Sequence, residues 1–308
     1  MNHTVDLQAK LLAQSRDAAE TARQLADCIY RGTDLSVKFA DEIAAAPYSG
    51  DAWAWIKGRI QTGNYAGIHI FDWLPFTADG HDYQAQIAGI NTATDYGDTP
   101  IGNHIDFITK ELWHVKHRMN PIEYNNGAVL PDGTTQASPW LISDLKHFLN
   151  SESGYVVTGR NPVTVGTVDY SDSGVFKHLP AALKSVIIEK RVKLLGRYAS
   201  YAEMGDPTSI QWDNIGKLWL PTEYEVLGMD SIGATSAIRI QSFVAQYPLF
   251  VGNAGSRLKK LGTAACGWWL MSPTRNNKNW TGIGSDAAAN QFGANVEDNG
   301  FPVCFRIG

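Results

Sequence analysis

The chain is short of charge. Aspartate, glutamate, lysine and arginine make up 19% of its 308 residues, below the usual quarter of a soluble domain. The balance is acidic, with a formal net charge of −5, and no lysine/arginine cluster stands out. A nucleic-acid partner needs a basic face, so none is expected. The mixed-charge stretch Lys184 to Arg197 reads as a solvated helix or strand edge. No apolar run reaches the ~18 residues of a membrane span, so no membrane partner is expected. The opening M-N-H-T-V-D-L-Q lacks the basic start and apolar run of a secretion signal. Cysteine is scarce: Cys28, Cys266 and Cys304 lie far apart, with no C-x-x-C pair and no zinc spacing. An odd count without a secretion signal fits synthesis in a reducing cytoplasm. Cys266 and Cys304 come near each other if the C-terminal strands pair, and the expectation is two buried free thiols.

Motifs for catalysis are also missing. There is no G-x-S-x-G, P-loop, H-E-x-x-H or dinucleotide fingerprint. His114 and His117 in W-H-V-K-H stand three apart, but no neighbouring residue completes a metal site, so they read as surface or packing histidines. Glu223 and Glu225 in P-T-E-Y-E point to different sides of a helix. D-Y-S-D-S-G, Asp169 to Gly174, has serines where a calcium loop needs Asp or Asn, and reads as a polar turn. No catalytic residue, metal or cofactor is expected, and the chain is not expected to be an enzyme.

Aromatics and turn residues are plentiful: ten Trp, twelve Tyr, eleven Phe and 29 glycines. Part of that aromatic area is core, and Trp and Tyr also favour binding patches. The length allows one large domain or two smaller ones. Residues 5–46 read as helix, with Leu7, Leu11, Ala18, Ala22, Leu25 and Ile29 on one thin stripe. Such an arm is stabilised by docking, either on copies of itself or on the chain's own body. Arg31 to Asp34 is a break, with Thr33 or Asp34 capping a second helix. A further helix is predicted at Ser49–Gly63, with Trp53, Ile56 and Ile60 on one face.

From residue 64 the texture turns to α+β. Two alternating runs, Ile68–Phe76 and His81–Ile90, flank Thr77-Ala78-Asp79-Gly80, which predicts a β-hairpin. Asn103–Arg118 is helix or strand. Ser138–Leu149 is predicted as a helix capped by Ser138, with Pro139 in its first turn. Ala181–Lys184 is a short helix running into a strand at Val186–Ile188. Lys217–Leu220 is a strand feeding a helix, and Thr222 with Glu225 forms a capping box. The C-terminal strands are Gly267–Met271, Trp280–Ile283 and Pro302–Ile307.

Four segments carry a resemblance: K-L-W-L-P-T-E-Y-E-V-L-G (Lys217–Gly228), Q-Y-P-L-F (Gln246–Phe250), G-W-W-L-M-S-P (Gly267–Pro273) and G-F-P-V-C-F-R-I-G (Gly300–Gly308). Together they resemble a family of bacteriophage and gut-bacterial domains with a W-W-L-R-S-P-like strand, an Asn/Gly-rich loop region and a closing strand. L-P-A-A-L-K-S-V-I-I upstream matches too. Met271 stands where that family has arginine, and the closing segment is one residue shorter. Such domains are similar to the C-type-lectin-like fold shared by formylglycine-generating enzymes and by the variable receptor-binding proteins of diversity-generating retroelements. The resemblance implies a C-type-lectin-like domain over residues 64–308, with loop-rich C-terminal strands, preceded by an N-terminal helical arm over residues 1–63 for attachment or oligomerisation. The enzymes of this fold use a closely spaced cysteine pair, whereas Cys266 and Cys304 are thirty-eight positions apart. The E-P-N, Q-P-D and W-N-D motifs of calcium-dependent lectins are missing.

The implied function is a phage or prophage virion protein, made in the bacterial cytoplasm and displaying a host-recognition surface. The resemblance sets the Trp268/Trp269 strand in the core and exposes Thr274–Trp280 and Asp286–Asn299. Trp280 and Phe292 are then the aromatic anchors. Asn276, Asn277, Asn279, Asn290, Gln291 and Asn295 are the adaptable polar contacts. Arg275, Lys278 and Glu297 select charge. The expected partners are a bacterial surface protein or glycan, other virion proteins, and copies of the chain, a trimer among the options. The alternatives are that these asparagines are plain turn residues, that the protein is a capsid decoration or tail component using the fold for protein–protein contact, or that it is an oxidase-like enzyme needing a copper or redox-active cysteine.

Overall fold

The computed structural model describes residues 30–94, 97–121, 123, 138–158, 163–195, 210–229, 245–274 and 278–308. Most of the predicted arm, with Cys28, lies outside these residues. From Asp34 onward the arm sequence forms short pieces rather than one helix. Asp34 caps a helix at Leu35–Lys38, its Oδ1 accepting from Ser36 N at 2.9 Å. The chain breaks at Phe39 (φ −114°, ψ 29°) before a second piece at Ala40–Ala44. That break sets the Phe39 ring 4.8 Å from Trp55, so ring docking overrides helical continuity.

The next helix, Ala52–Gln61, starts where Asp51 accepts from Trp53 N and Ala54 N at 2.9 and 3.0 Å. Trp53, Ile56 and Ile60 are buried as its periodicity predicts. The Trp53 ring lies edge-on to Phe76, Phe107 and Phe305. Residues 35–60 therefore share one apolar core with the sheet they pack on. Of the two partners left open for the arm, its described part docks on the chain's own body.

The main sheet is antiparallel and curled into a half-barrel. Its first two strands, β1 (Trp73–Ala78) and β2 (His81–Ile90), form the predicted hairpin. Asp79 and Gly80 both take positive φ, 50° and 74°, which matches the right-handed twist of the strands. Residues 68–72, read as strand, instead form turns around the buried Asp72. β3 (Ile105–Thr109) settles the helix-or-strand alternative and is buried along its whole length.

The helix predicted from Ser138 begins at Asp144 and runs to Asn150. Ser143, not Ser138, caps it, accepting from Lys146 N at 3.2 Å. The residues before it are held in turns around Trp140, which is buried and donates Nε1–H to Ile215 O at 3.3 Å. A hairpin follows, β4 (Ser153–Thr158) with β5 (Val163–Asp169). Asp169 then accepts from Ser171 N at 2.9 Å, which makes the predicted polar turn.

Short helices at Val175–His178 and Ala181–Val186 lead into β6 (Ile187–Ile188). β7 (Arg191–Leu195) pairs with β8 (Ile210–Asn214). Lys217–Leu220 makes only a bridge, Trp219 to Cys304. Thr222 and Glu225 form the predicted capping box on the helix Glu223–Leu227. After 3-10 turns at Pro248–Phe250 and Ala254–Arg257 come the short pair β9 (Lys260–Leu261) and β10 (Ala264–Ala265). β11 (Trp268–Pro273), β12 (Asn279–Ile283) and β13 (Ala289–Gly293) make a separate three-stranded sheet. The last strand, β14 (Cys304–Ile307), lies between β3 and β6, so the main sheet runs β1-β2-β3-β14-β6.

A buried ionic network sits in that main sheet. Arg306 and Asp106 are register partners, with Nε–Oδ1 at 2.6 Å and Nη2–Oδ2 at 2.7 Å. Lys190 Nζ donates to Glu225 Oε1 at 2.6 Å and to Tyr247 Oη at 2.8 Å. Tyr247 Oη in turn donates to Asp106 Oδ2 at 3.0 Å. All five side chains are at most 3% exposed. Lys190 thus corrects the reading of Lys184–Arg197 as a solvated edge. Burial raises the Asp106 pKa, but Arg306 and Lys190 outweigh it and hold the carboxyl well below the usual range.

Candidate functional site

The predicted site falls mainly on the three-stranded sheet and its flanking turns. Arg275, Asn276 and Asn277 lie outside the described residues. β12 is the central strand: it pairs with β11 on one side and with β13 on the other. Among the described strands β13 is the outer one. Trp280 faces Phe292 across the ladder, Gly282 faces Asn290, and Thr281 faces Gln291. The stretch Asp286–Asn299, predicted as a loop, therefore contains a strand, and Asn290, Gln291 and Phe292 are held on a ladder.

The base of this sheet is aromatic. Trp268, Trp269 and Trp280 are all fully buried. Trp268 donates Nε1–H to Arg257 O, and Trp269 donates to His117 O, each at 2.8 Å. Trp280 is the correction to the predicted site: it is a core residue and not an exposed anchor. Its Nε1 has no acceptor among the described residues, and its backbone is paired with Pro273 and Phe292. Phe292 is half-buried, edge-on to Trp269 at 5.5 Å. Its ring lies over Gly282, where a Cβ would come within 2.4 Å of it. Phe292 is therefore the aromatic residue that reaches the surface here, and Gly282 makes its seat.

The polar residues do lie outward. Asn290, Gln291, Asn295 and Glu297 are exposed, while Lys278 and Asn279 are half-exposed. Strand alternation sends Asn290 to the Phe292 side and Gln291 to the opposite side. Gln291 Oε1 accepts from Asn279 Nδ2 at 3.3 Å. Lys278 pairs with Glu123 at 3.0 Å. Glu297 accepts from Arg118 Nη1 at 2.9 Å, and Arg118 Nε reaches the buried Asp144 at 3.2 Å. Tyr170 also donates to Asp144, at 2.8 Å. Sequence reading missed Arg118, Asp144 and Tyr170 as supports of Glu297. The only signal was a charged residue far away in the chain.

The histidines pack. His114 stacks on His81 with centroids 4.2 Å apart, and its Nε2 is 3.1 Å from Asp79. Burial, then the neighbouring His81, lowers its pKa. His117 stacks on Phe148 at 4.4 Å, and burial lowers its pKa as well. Among the described residues no group of three or more His, Cys, Asp or Glu is placed to hold a metal. Cys266 and Cys304 are both free and buried, and burial pushes the Cys304 thiol pKa up. No described helix is long and apolar enough to cross a membrane. What the sheet presents is an edge of amide donors and acceptors beside one aromatic ring. No protein-family model, curated protein or solved structure matches the chain.

Proposed function

We propose that the chain is a non-enzymatic recognition protein of a phage or prophage particle. On this reading its body is a C-type-lectin-like domain, and the β13 edge meets a bacterial surface protein or glycan. One observation carries the proposal: an outer strand bearing Asn290, Gln291 and Phe292 rests on a base of three fully buried tryptophans. Exposed amides adapt to either donor or acceptor partners. A rigid base keeps the ordering cost of binding small. Phe292 supplies apolar area at the same edge. Display of many copies on one particle lets weak single sites act together.

The test is capture of host surface material by immobilised protein. Binding of an outer-surface extract is expected, and it falls by at least about tenfold with Asn290→Ala/Gln291→Ala. Periodate sensitivity marks a glycan ligand and protease sensitivity marks a protein. Capture that the double variant leaves unchanged overturns the proposal.

A structural role in the virion is favoured by one feature of the same strand. Among the described strands β13 ends its sheet, and an end strand is a template for pairing with another subunit. On that reading the β13 edge is covered in the assembled particle. A retroelement reverse transcriptase and template repeat beside the gene would favour recognition; flanking capsid genes alone would favour structure.

A further inference from the structure

Away from the three-stranded sheet, a cavity of about 440 Å³ opens between residues 31, 71, 86 and 110 on one side and residues 253–259 on the other. Its charged lining is Arg31, Lys110 and Lys259, and among the described residues no carboxylate lines it. In a chain with more acidic than basic residues, three cations around one cavity form a local reversal of sign. Gln86, Asn253 and Ser256 add neutral hydrogen-bonding groups. We propose that this cavity is a binding site for a small organic anion carrying a carboxylate or phosphate group.

The cations are held in place by the fold. Arg31 sits on a pinned segment: Thr33 N donates to Asp72 Oδ1 at 2.8 Å, Tyr30 Oη donates to the same oxygen, and Trp73 N donates to Thr33 O at 3.1 Å. Gly32, at φ 89°, crosses so close to Phe71 that a Cβ would lie 1.9 Å from the Phe71 carbonyl oxygen. Only glycine permits that crossing, and it sets Arg31 at the mouth. Lys110 follows β3 directly, and its Nζ donates to Gln84 Oε1 at 3.2 Å.

Lys259 forms the floor. It is 3% exposed, and its Nζ donates to Thr109 O at 2.5 Å and Lys110 O at 3.3 Å. These partners are carbonyl dipoles, and among the described residues no carboxylate within hydrogen-bonding distance balances the buried charge. An ammonium has three protons: two go to these carbonyls, and Nζ also lies 5.7 Å from the Trp268 ring centroid. Burial lowers the Lys259 pKa to about 8, with Cys304 and Glu111 acting to raise it and Lys110 to lower it. A bound anion supplies the missing counter-charge. The volume suits a single sugar acid or a small phosphate ester.

This site stands whether or not the β13 edge binds a host. The test is calorimetric titration of the full chain with inorganic phosphate and with glucuronate. Binding of one or both is expected, and the tighter of the two assigns the group. Arg31→Ala/Lys110→Ala changes two exposed side chains, so it keeps the unliganded melting temperature and weakens binding by at least about tenfold. Affinity falls as pH rises through about 8, where Lys259 loses its proton. No binding of either probe at millimolar concentration, or full affinity in the double variant, overturns the site. A pH-independent affinity removes Lys259 from it and overturns the account of the floor.

Discussion

Between β3 and β14 the main sheet encloses Asp106, Arg306, Lys190 and Glu225; under β13 the smaller sheet encloses Trp268, Trp269 and Trp280. The first solution is polar and directional. Each charge is desolvated, at a cost of several kcal/mol per ion, and is tolerated because its lone pairs and protons are matched. The second is apolar and uses shape. Indole area removed from water stabilises it at about 25 cal/mol per Å². The contrast separates two tasks. The ionic network fixes which strands meet, since Arg306 pairs in register with Asp106. The tryptophan base supports an end strand whose polar side chains remain exposed, with Gln291 Oε1 accepting from Asn279 Nδ2 and Asn290 Oδ1 from Gln291 N.

The largest expected effect breaks the first half of that comparison. Asp106→Ala strands Arg306 and Lys190 without their shared carboxylate and costs about 5 kcal/mol in denaturant unfolding. Replacing the pair together, Asp106→Leu with Arg306→Met, recovers much of that loss, because no charge is then left alone. Next comes Trp280→Ala, at about 4 kcal/mol, from lost burial and the cavity left behind. Trp280→Phe costs less, since the indole Nε1 has no described partner to lose. A Trp280/Phe292 double variant is therefore a lesion of stability, and it does not report on binding.

A smaller effect comes from acid. His104 is fully buried, with Ala93 N donating to its Nε2 at 3.2 Å and its Nδ1–H directed at Gly102 O at 2.9 Å. That arrangement fixes the neutral tautomer. Burial, then Arg306, lowers its pKa. The stability it contributes is full above the unfolded value of about 6.5 and is lost as pH falls below it. Denaturant midpoints should drop over that interval, and His104→Gln should flatten the slope even if it lowers the plateau. The smallest effect is at the surface: Asn290→Ala/Gln291→Ala shifts stability by no more than about 0.5 kcal/mol.

Much of the frame was legible where one short stretch carries the cause. Asp79-Gly80 supplies the positive φ of a two-residue hairpin, and Thr222 with Glu225 contains both halves of a capping box. The cap expected at Ser138 moved to Ser143, because the burial of Trp140 holds the intervening residues in turns. The ionic network was hidden because Asp106 and Arg306 are 200 positions apart. Lys190 lies in a charged stretch that looks solvated until Glu225 and Tyr247 are folded over it. Trp280 showed the same limit. Its polar neighbours suggested exposure, but strand pairing with Phe292 and Pro273 seals it inside. The amides at Asn290 and Gln291 kept their predicted exposure, but on a strand. The cations of the cavity come from three distant segments and left no local pattern.

The measurement that bears most directly on the account is staining of intact host-community bacteria with the purified, fluorescently labelled chain, with Asn290→Ala/Gln291→Ala beside it. Both proteins must first show the same unfolding midpoint. The account predicts that the parent stains a subset of cells and that the folded double variant stains none. Equal staining by the two would contradict the β13 edge as the recognition surface. No staining by the folded parent would contradict recognition and leave the structural role in the virion.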